Sequence, residues 1–422
     1  MHHHLTRFLT LAAAISLATI SVSAQKFSDF FEDETLRIDY TLAGNSEQQS
    51  IFFDELSSTP RWYGRRVNLS TVPFEGNGQV IITDAATDSV IYRTFFSTLF
   101  QEWVFYDEAK VMNRSFEGVA IVPMPKKAAK ATIRLFNHHR QVVAESSRPI
   151  DPADILIRQR GKVGVNPFVY IQRAKDTTNC IRVAFLAEGF TADQMQHFLD
   201  KAYEATEAIF AHPPFSEMRD RFEIVAVKSV SEESGVSRPG KGLWLNTLLG
   251  SHFDSFYSDR YLTTLHLRDI HNALAGTPYD NIIVLVNTPV YGGGGVLNFY
   301  TISSSDNEWF RPVLVHEFGH GFAGLTDEYA YENDTPPMYP VDVEPWEPNV
   351  TTLVDYASKW KDMEGQKNSC GTVGVYEGAG YSLKGVYRPT PHCRMRDNQT
   401  PDFCPVCQRA IRQVIDFYTI QK

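Results

Sequence analysis

An excess of basic residues is missing from this chain of 422 residues: 40 Lys and Arg stand against 50 Asp and Glu, a formal net charge of −10. No basic run interrupts that balance, which argues against nucleic acid and anionic membranes as partners. Long uncharged apolar stretches are missing past the first thirty residues, so no membrane span is expected once those are removed. The glycine-rich stretch Tyr291-Gly292-Gly293-Gly294-Gly295-Val296 has no G-K-[ST] after it, which rejects a phosphate-binding loop. Internal repeats and low-complexity tracts are also lacking. What is present is a globular balance, 43% hydrophobic and 21% charged. That excludes wholesale disorder and collagen-like repeats, and the length suits two domains or one large one.

The N-terminus reads as an export signal. Arg7 is its only formal charge, an apolar run from Phe8 to Val22 follows, and Val22-Ser23-Ala24 gives a cleavage pattern before Gln25. The run is about 15 residues, short for a helical span. Residues 1–24 are therefore expected to be a cleaved signal peptide and the protein to be secreted or periplasmic. No Cys lies near the cleavage site, which argues against a lipoprotein anchor.

Residues 25–150 carry a β pattern and are expected to form an all-β sandwich domain. Leu36-Arg37-Ile38-Asp39-Tyr40-Thr41-Leu42 alternates with period two, and runs at 79–83, 89–92 and 131–136 are also β-rich. Turn residues such as Gly76-Asn77-Gly78 separate them. His138-His139 reads as an exposed turn rather than a metal site. A proline-bearing seam near 147–152 precedes a change of pattern. Strands at 181–187, 222–227 and 279–286 alternate with helical stretches, one from Thr191 to Phe210. Residues 160–422 are therefore expected to be an α/β catalytic domain.

Its chemistry lies in His316-Glu317-Phe318-Gly319-His320, an H-E-x-x-H pattern. On a helix, residues four apart share a face, so His316 and His320 can bind one Zn²⁺ while Glu317 reaches a metal-bound water as general base. A zinc hydrolase needs a third ligand. In metzincins a glycine ends the helix and that ligand follows three residues later. Here Gly324-Leu325-Thr326-Asp327 keeps the step, so Asp327 is the expected ligand and Glu328 its rival. Met395, in Cys393-Arg394-Met395-Arg396, fits the methionine turn beneath such a metal. The glycine-rich stretch reads as a segment beside an extended substrate, or as a plain surface loop.

The string Val-His-Glu-Phe-Gly-His-Gly-Phe-Ala-Gly-Leu-Thr-Asp-Glu-Tyr, residues 315–329, resembles the signature of the clostridial-type IgA metallopeptidase family. Residues 185–191, Cys393-Arg394-Met395-Arg396 and Phe403-Cys404-Pro405-Val406-Cys407 resemble its entry strand and C-terminal end. The resemblance covers about residues 160–422, and the β-rich segment resembles the family's N-terminal domain. It implies a metzincin-like fold, zinc held by His316, His320 and Asp327, and Glu317 as general base. Cys180 is expected to be a buried free thiol. Cys370, Cys393, Cys404 and Cys407 have two readings: two disulfides, or a Cys₄ zinc site of the kind archaemetzincins carry.

The expected function is an exported zinc endopeptidase that hydrolyses peptide bonds in a protein or peptide substrate by attack of a zinc-bound water. Tyr329 is a candidate donor to the oxyanion. The alternatives are a zinc amidase or deacylase on cell-wall or glycan substrates, and a binding protein on a degenerate protease fold.

Overall fold

The computed structural model describes residues 25–331 and 338–421. The expected signal segment lies outside the described residues. The chain is mixed α/β with several sheets.

The first half builds two four-stranded sheets. One has the order β5-β1-β2-β8, from Phe31–Gly44 (β1), Gln49–Pro60 (β2), Arg114–Pro125 (β5) and Arg158–Gln159 (β8). The other has the order β4-β3-β6-β7, from Gly78–Asp84 (β3), Val90–Phe96 (β4), Ala129–Phe136 (β6) and Val142–Ile150 (β7). Period-two alternation turns Leu36, Ile38, Tyr40 and Leu42 into the same apolar cluster as Val80, Ile82, Ile133 and Leu135. The short β8 pairs in parallel with β2, Ser57 against Arg158. The first sheet therefore draws in chain beyond the seam predicted near 150.

A six-stranded sheet of order β13-β14-β12-β10-β11-β9 follows. Its strands are Phe168–Gln172 (β9), Ile181–Glu188 (β10), Phe222–Val227 (β11), Asn281–Val286 (β12), Gly293–Val296 (β13) and Tyr300–Ser304 (β14). The four central strands are parallel and both edges are antiparallel. The central strands are buried on both faces, so β10, β11 and β12 read as mostly apolar runs, broken by the buried pair Arg182–Glu223. Ala184, Leu186, Val225 and Val284 join the cluster shared with the N-terminal sheets. Ile181, Val183, Phe185 and Ile283 face the opposite cluster, under the helices.

Three helices cover that second face: Met195–Phe210, Phe310–Ala323 and Pro405–Thr419. The first opens where the predicted helical stretch does, after a 3₁₀ turn at Ala192–Gln194, with the Gln194 side chain accepting from Thr191 N–H at 3.1 Å. The C-terminal helix buries Ala410, Ile411, Val414 and Ile415, spaced three and four apart, against the helix carrying the H-E-x-x-H pattern.

Candidate metal centre

The motif helix, Phe310–Ala323, packs against β13 and β14 and buries residues all round its axis. A helix so enclosed holds its side chains in fixed rotamers, as a metal site needs. It ends at Gly324, whose φ of 60° is the left-handed region open to glycine. Leu325 N–H then donates to Gly319 O at 3.3 Å, and the chain reverses. The reversal delivers Asp327 to the face that carries both histidines.

His316 Nε2 lies 3.0 Å and His320 Nε2 3.4 Å from Asp327 Oδ1. The two Nε2 atoms are 3.1 Å apart. Ligand bonds of about 2.0–2.1 Å around a tetrahedral ion place neighbouring donors about 3.3 Å apart, so this triangle has the right size. The other ring nitrogens are tied down. His316 Nδ1 is 2.9 Å from Arg394 O and His320 Nδ1 is 2.5 Å from Leu325 O. A carbonyl accepts only, so each Nδ1 carries the proton and each Nε2 turns a lone pair inward. Three acceptors converging on one point repel one another unless a cation sits between them, and the residues present therefore fit a divalent metal.

Protons compete for the same inward-facing lone pairs. Burial lowers the tendency of His320 to charge, but Asp327 overrules it and raises its pKa to about 9. Burial works against ionising Asp327 as well, yet the two imidazoles hold its carboxyl well below the usual range. Glu317 moves the other way. Its burial raises the pKa, and the neighbouring histidines offset only part of that.

Neighbouring segments fix the third acceptor. Asp327 O accepts from Gly380 N–H at 2.9 Å, and Glu328 N–H donates to Met395 O at 2.7 Å. The Tyr381 hydroxyl donates to Asp327 Oδ2. Tyr381 itself has a φ of 61°, an uncommon backbone for a bulky residue, held here in a hairpin turn. Met395 lies beneath the motif helix: a Cβ added at Gly319 would sit 2.8 Å from its Sδ. Asp327 and Glu328 point to opposite faces of the extended chain, and the Glu328 carboxylate turns away toward Cys407.

The cleft beside this triangle is lined by Glu102 and Tyr106 from the N-terminal half and by Tyr261, Tyr291, Tyr329 and Tyr331. Glu102 takes a hydrogen bond from Tyr261 at 2.6 Å, and burial raises its pKa to about 7. Neither Glu102 nor Tyr381 stands out in the sequence. The turn residues Gly378-Ala379-Gly380 foretell a bend before Tyr381, but nothing local says what the bend reaches. Tyr329 lines the cleft, stacked on Tyr331 with ring centroids 5.3 Å apart.

The glycine-rich stretch is a built element: Gly293–Val296 forms the edge strand β13, lying across the motif helix. The histidine pair departs from expectation. His139 is exposed, but His138 packs edge-on against Phe105, ring centroids 4.6 Å apart, and joins the cleft wall. Among the described residues no disulfide joins the cysteines, and Cys370 stands apart from Cys393, Cys404 and Cys407, its Sγ on Asp402 O at 3.3 Å, so the four do not form one Cys₄ set. Cys180 is a buried free thiol just before β10, as expected.

Residues 169–372 and 363–415 match the family model described as IgA Peptidase M64. Residues 26–146 match the one described as Peptidase M64 N-terminus. No curated protein matches the chain.

Proposed function

The chain belongs to the IgA peptidase M64 family, and on that premise we propose that it is an exported zinc-dependent endopeptidase. Membership makes it a metallopeptidase, a hydrolase acting on protein or peptide. The finer reading rests on one observation: two imidazole nitrogens and Asp327 Oδ1 converge within 3.4 Å of one another, with both Nδ1 protons committed to carbonyls.

His316, His320 and Asp327 are the residues that would hold the ion, and an imidazole–imidazole–carboxylate set with tetrahedral spacing suits zinc. A zinc ion held there would supply the Lewis acidity that acidifies a water and polarises a carbonyl. Glu317, next along the helix from His316, is placed to hold that water's proton and to deliver it to the leaving amine. Its burial, which raises its pKa, suits a group that must both accept and release a proton. Strand β13 offers its backbone to an extended peptide running past Glu317, and the tyrosines of the cleft give that peptide aromatic walls. The metzincin-like reading of the fold is supported by the helix break at Gly324 and by Met395 beneath the helix. We read residues 25–150 as the N-terminal domain and 160–422 as the catalytic one.

The test separates the base from the ligands. Glu317→Gln is expected to keep one equivalent of zinc on the motif helix and to lose turnover of a casein-type substrate by about 10²–10⁴-fold. Near-normal peptidase activity in that variant would overturn the mechanism.

A further inference from the structure

A second cluster of metal-ligating groups lies behind the first. Glu328, Cys393, Cys404 and Cys407 are all fully buried, and their ligand atoms lie within 4.8 Å of one another. Cys393 Sγ and Cys407 Sγ are 3.8 Å apart, and Cys407 Sγ is 3.2 Å from Glu328 Oε1. Two sulfurs bound at about 2.3 Å to one tetrahedral ion stand about 3.8 Å apart. Glu328 Oε2 is buried and has no hydrogen-bond partner among the described residues. An unmet carboxylate oxygen in a protein interior is costly unless a cation or proton meets it.

Backbone donors surround two of the three sulfurs. Cys404 is the N-cap of the C-terminal helix, with Pro405 at its first position. Backbone N–H groups point at the sulfurs: Cys404 N to Cys393 Sγ at 3.3 Å and Cys407 N to Cys404 Sγ at 3.4 Å. A helix N-terminus and N–H donors both stabilise negative sulfur. Asn349 Nδ2 donates to Glu328 Oε1 at 3.0 Å and orients the carboxylate.

We propose that Glu328, Cys393, Cys404 and Cys407 form a second, structural site for a thiophilic divalent cation, for which zinc is the probe. Its ligands come from three segments, each with a tie to the first centre. Glu328 adjoins Asp327. Cys393 leads into Arg394, whose carbonyl takes the His316 Nδ1 proton, and into Met395. Cys404 and Cys407 open the helix that packs on the motif helix. An ion there pins the segment carrying Asp327 to the loop beneath the histidines. It also occupies thiols that would otherwise be free to oxidise. The site stands whether or not the first centre is a peptidase centre.

The experiment uses the mature chain with His316→Ala and His320→Ala, which removes the motif-helix ligands and leaves the second cluster intact. The variant is purified with zinc present and desalted. Its metal content and zinc-edge X-ray absorption are then measured. The expected result is one zinc per chain with sulfur at about 2.3 Å as the main shell. Adding Glu328→Gln, which keeps size and shape, is expected to speed loss of that zinc to a chelator at least tenfold. A variant that holds no zinc, or zinc in a shell of nitrogen and oxygen alone, would overturn the proposal. So would an unreduced mass two hydrogens low with Cys393, Cys404 or Cys407 in the disulfide.

Discussion

Adjacent side chains on extended backbone face opposite ways, and Asp327-Glu328 turns that rule into a division of labour. The shorter carboxylate meets the histidines; the longer one reaches the cysteines on the other side. Asp327 is placed by the glycine turn, but its orientation also depends on the Tyr381 hydroxyl at Oδ2. Tyr381→Phe removes that donor and leaves the ring packed against Tyr329. Zinc affinity of the motif-helix site is expected to fall about 10–100-fold, the usual cost of losing a group that orients a ligand. Asp327→Asn is expected to cost far more, since the proposed ligand itself is lost. Competition against a chelator of known affinity at pH 7 ranks the two, and an unchanged affinity in Tyr381→Phe would mean that Tyr381 does not orient Asp327. His316, Glu317 and His320 could be read from the chain because one helical turn fixes their spacing. Tyr381 could not, because it lies 54 residues beyond Asp327 and arrives by a hairpin turn.

Strand β13 illustrates an element whose sequence says little until its neighbour is known. Four consecutive glycines have low strand propensity, yet Gly293–Val296 is a strand because the motif helix lies so close. A Cβ at Gly295 would come within 2.2 Å of Glu317 O, and one at Gly293 within 2.9 Å of Glu317 Cγ. Gly295→Ala must therefore push strand and helix apart. We expect a stability loss of about 1–3 kcal/mol and, because Glu317 moves with its helix, a kcat loss of about 10²-fold for a shift near 1 Å. Denaturant unfolding and steady-state kinetics measure the two together; unchanged kcat in a destabilised chain would mean that the spacing serves packing alone. The central strands β10, β11 and β12 were readable because burial on both faces leaves a mostly apolar run. The edge strands β9 and β13 and the tiny β8 were not, since pairing partners far along the chain define them. His138 escaped for the same reason: a turn predicts exposure, and Phe105 and Tyr339 cover it from outside the turn.

The two halves of the chain share one apolar cluster, in which Ala184, Leu186 and Val284 of the six-stranded sheet meet Ile38, Ile82 and Leu135 of the N-terminal sheets. Along this seam lies a cavity lined by Trp62, Arg65 and Tyr92 on one side and Tyr279, Asp280 and Tyr418 on the other. Asp280 Oδ1 accepts from Arg182 N–H at 3.0 Å and from Asn281 Nδ2 at 2.7 Å, while Oδ2 is buried without a hydrogen-bond partner among the described residues. Burial raises this carboxyl from 3.8 to about 7, and the charge of Arg182 recovers only part of the loss. The folded chain therefore holds a proton that the unfolded chain gives up between about pH 4 and pH 7. Stability from this group is complete at low pH and is lost as the pH rises through about 7, at up to about 1.4 kcal/mol per unit. Asp280→Asn keeps an acceptor for Arg182 N–H and removes the titration. Relative to the parent, the variant's Tm is expected to climb between pH 5 and pH 7 and to level off above. The comparison cancels every other titrating group, including buried His138 and His271, whose lowered pKa values favour folding as the pH rises. A difference that stays flat from pH 5 to pH 8 would mean that Asp280 ionises as it does in water, and that the seam between the halves is wetter than its burial implies.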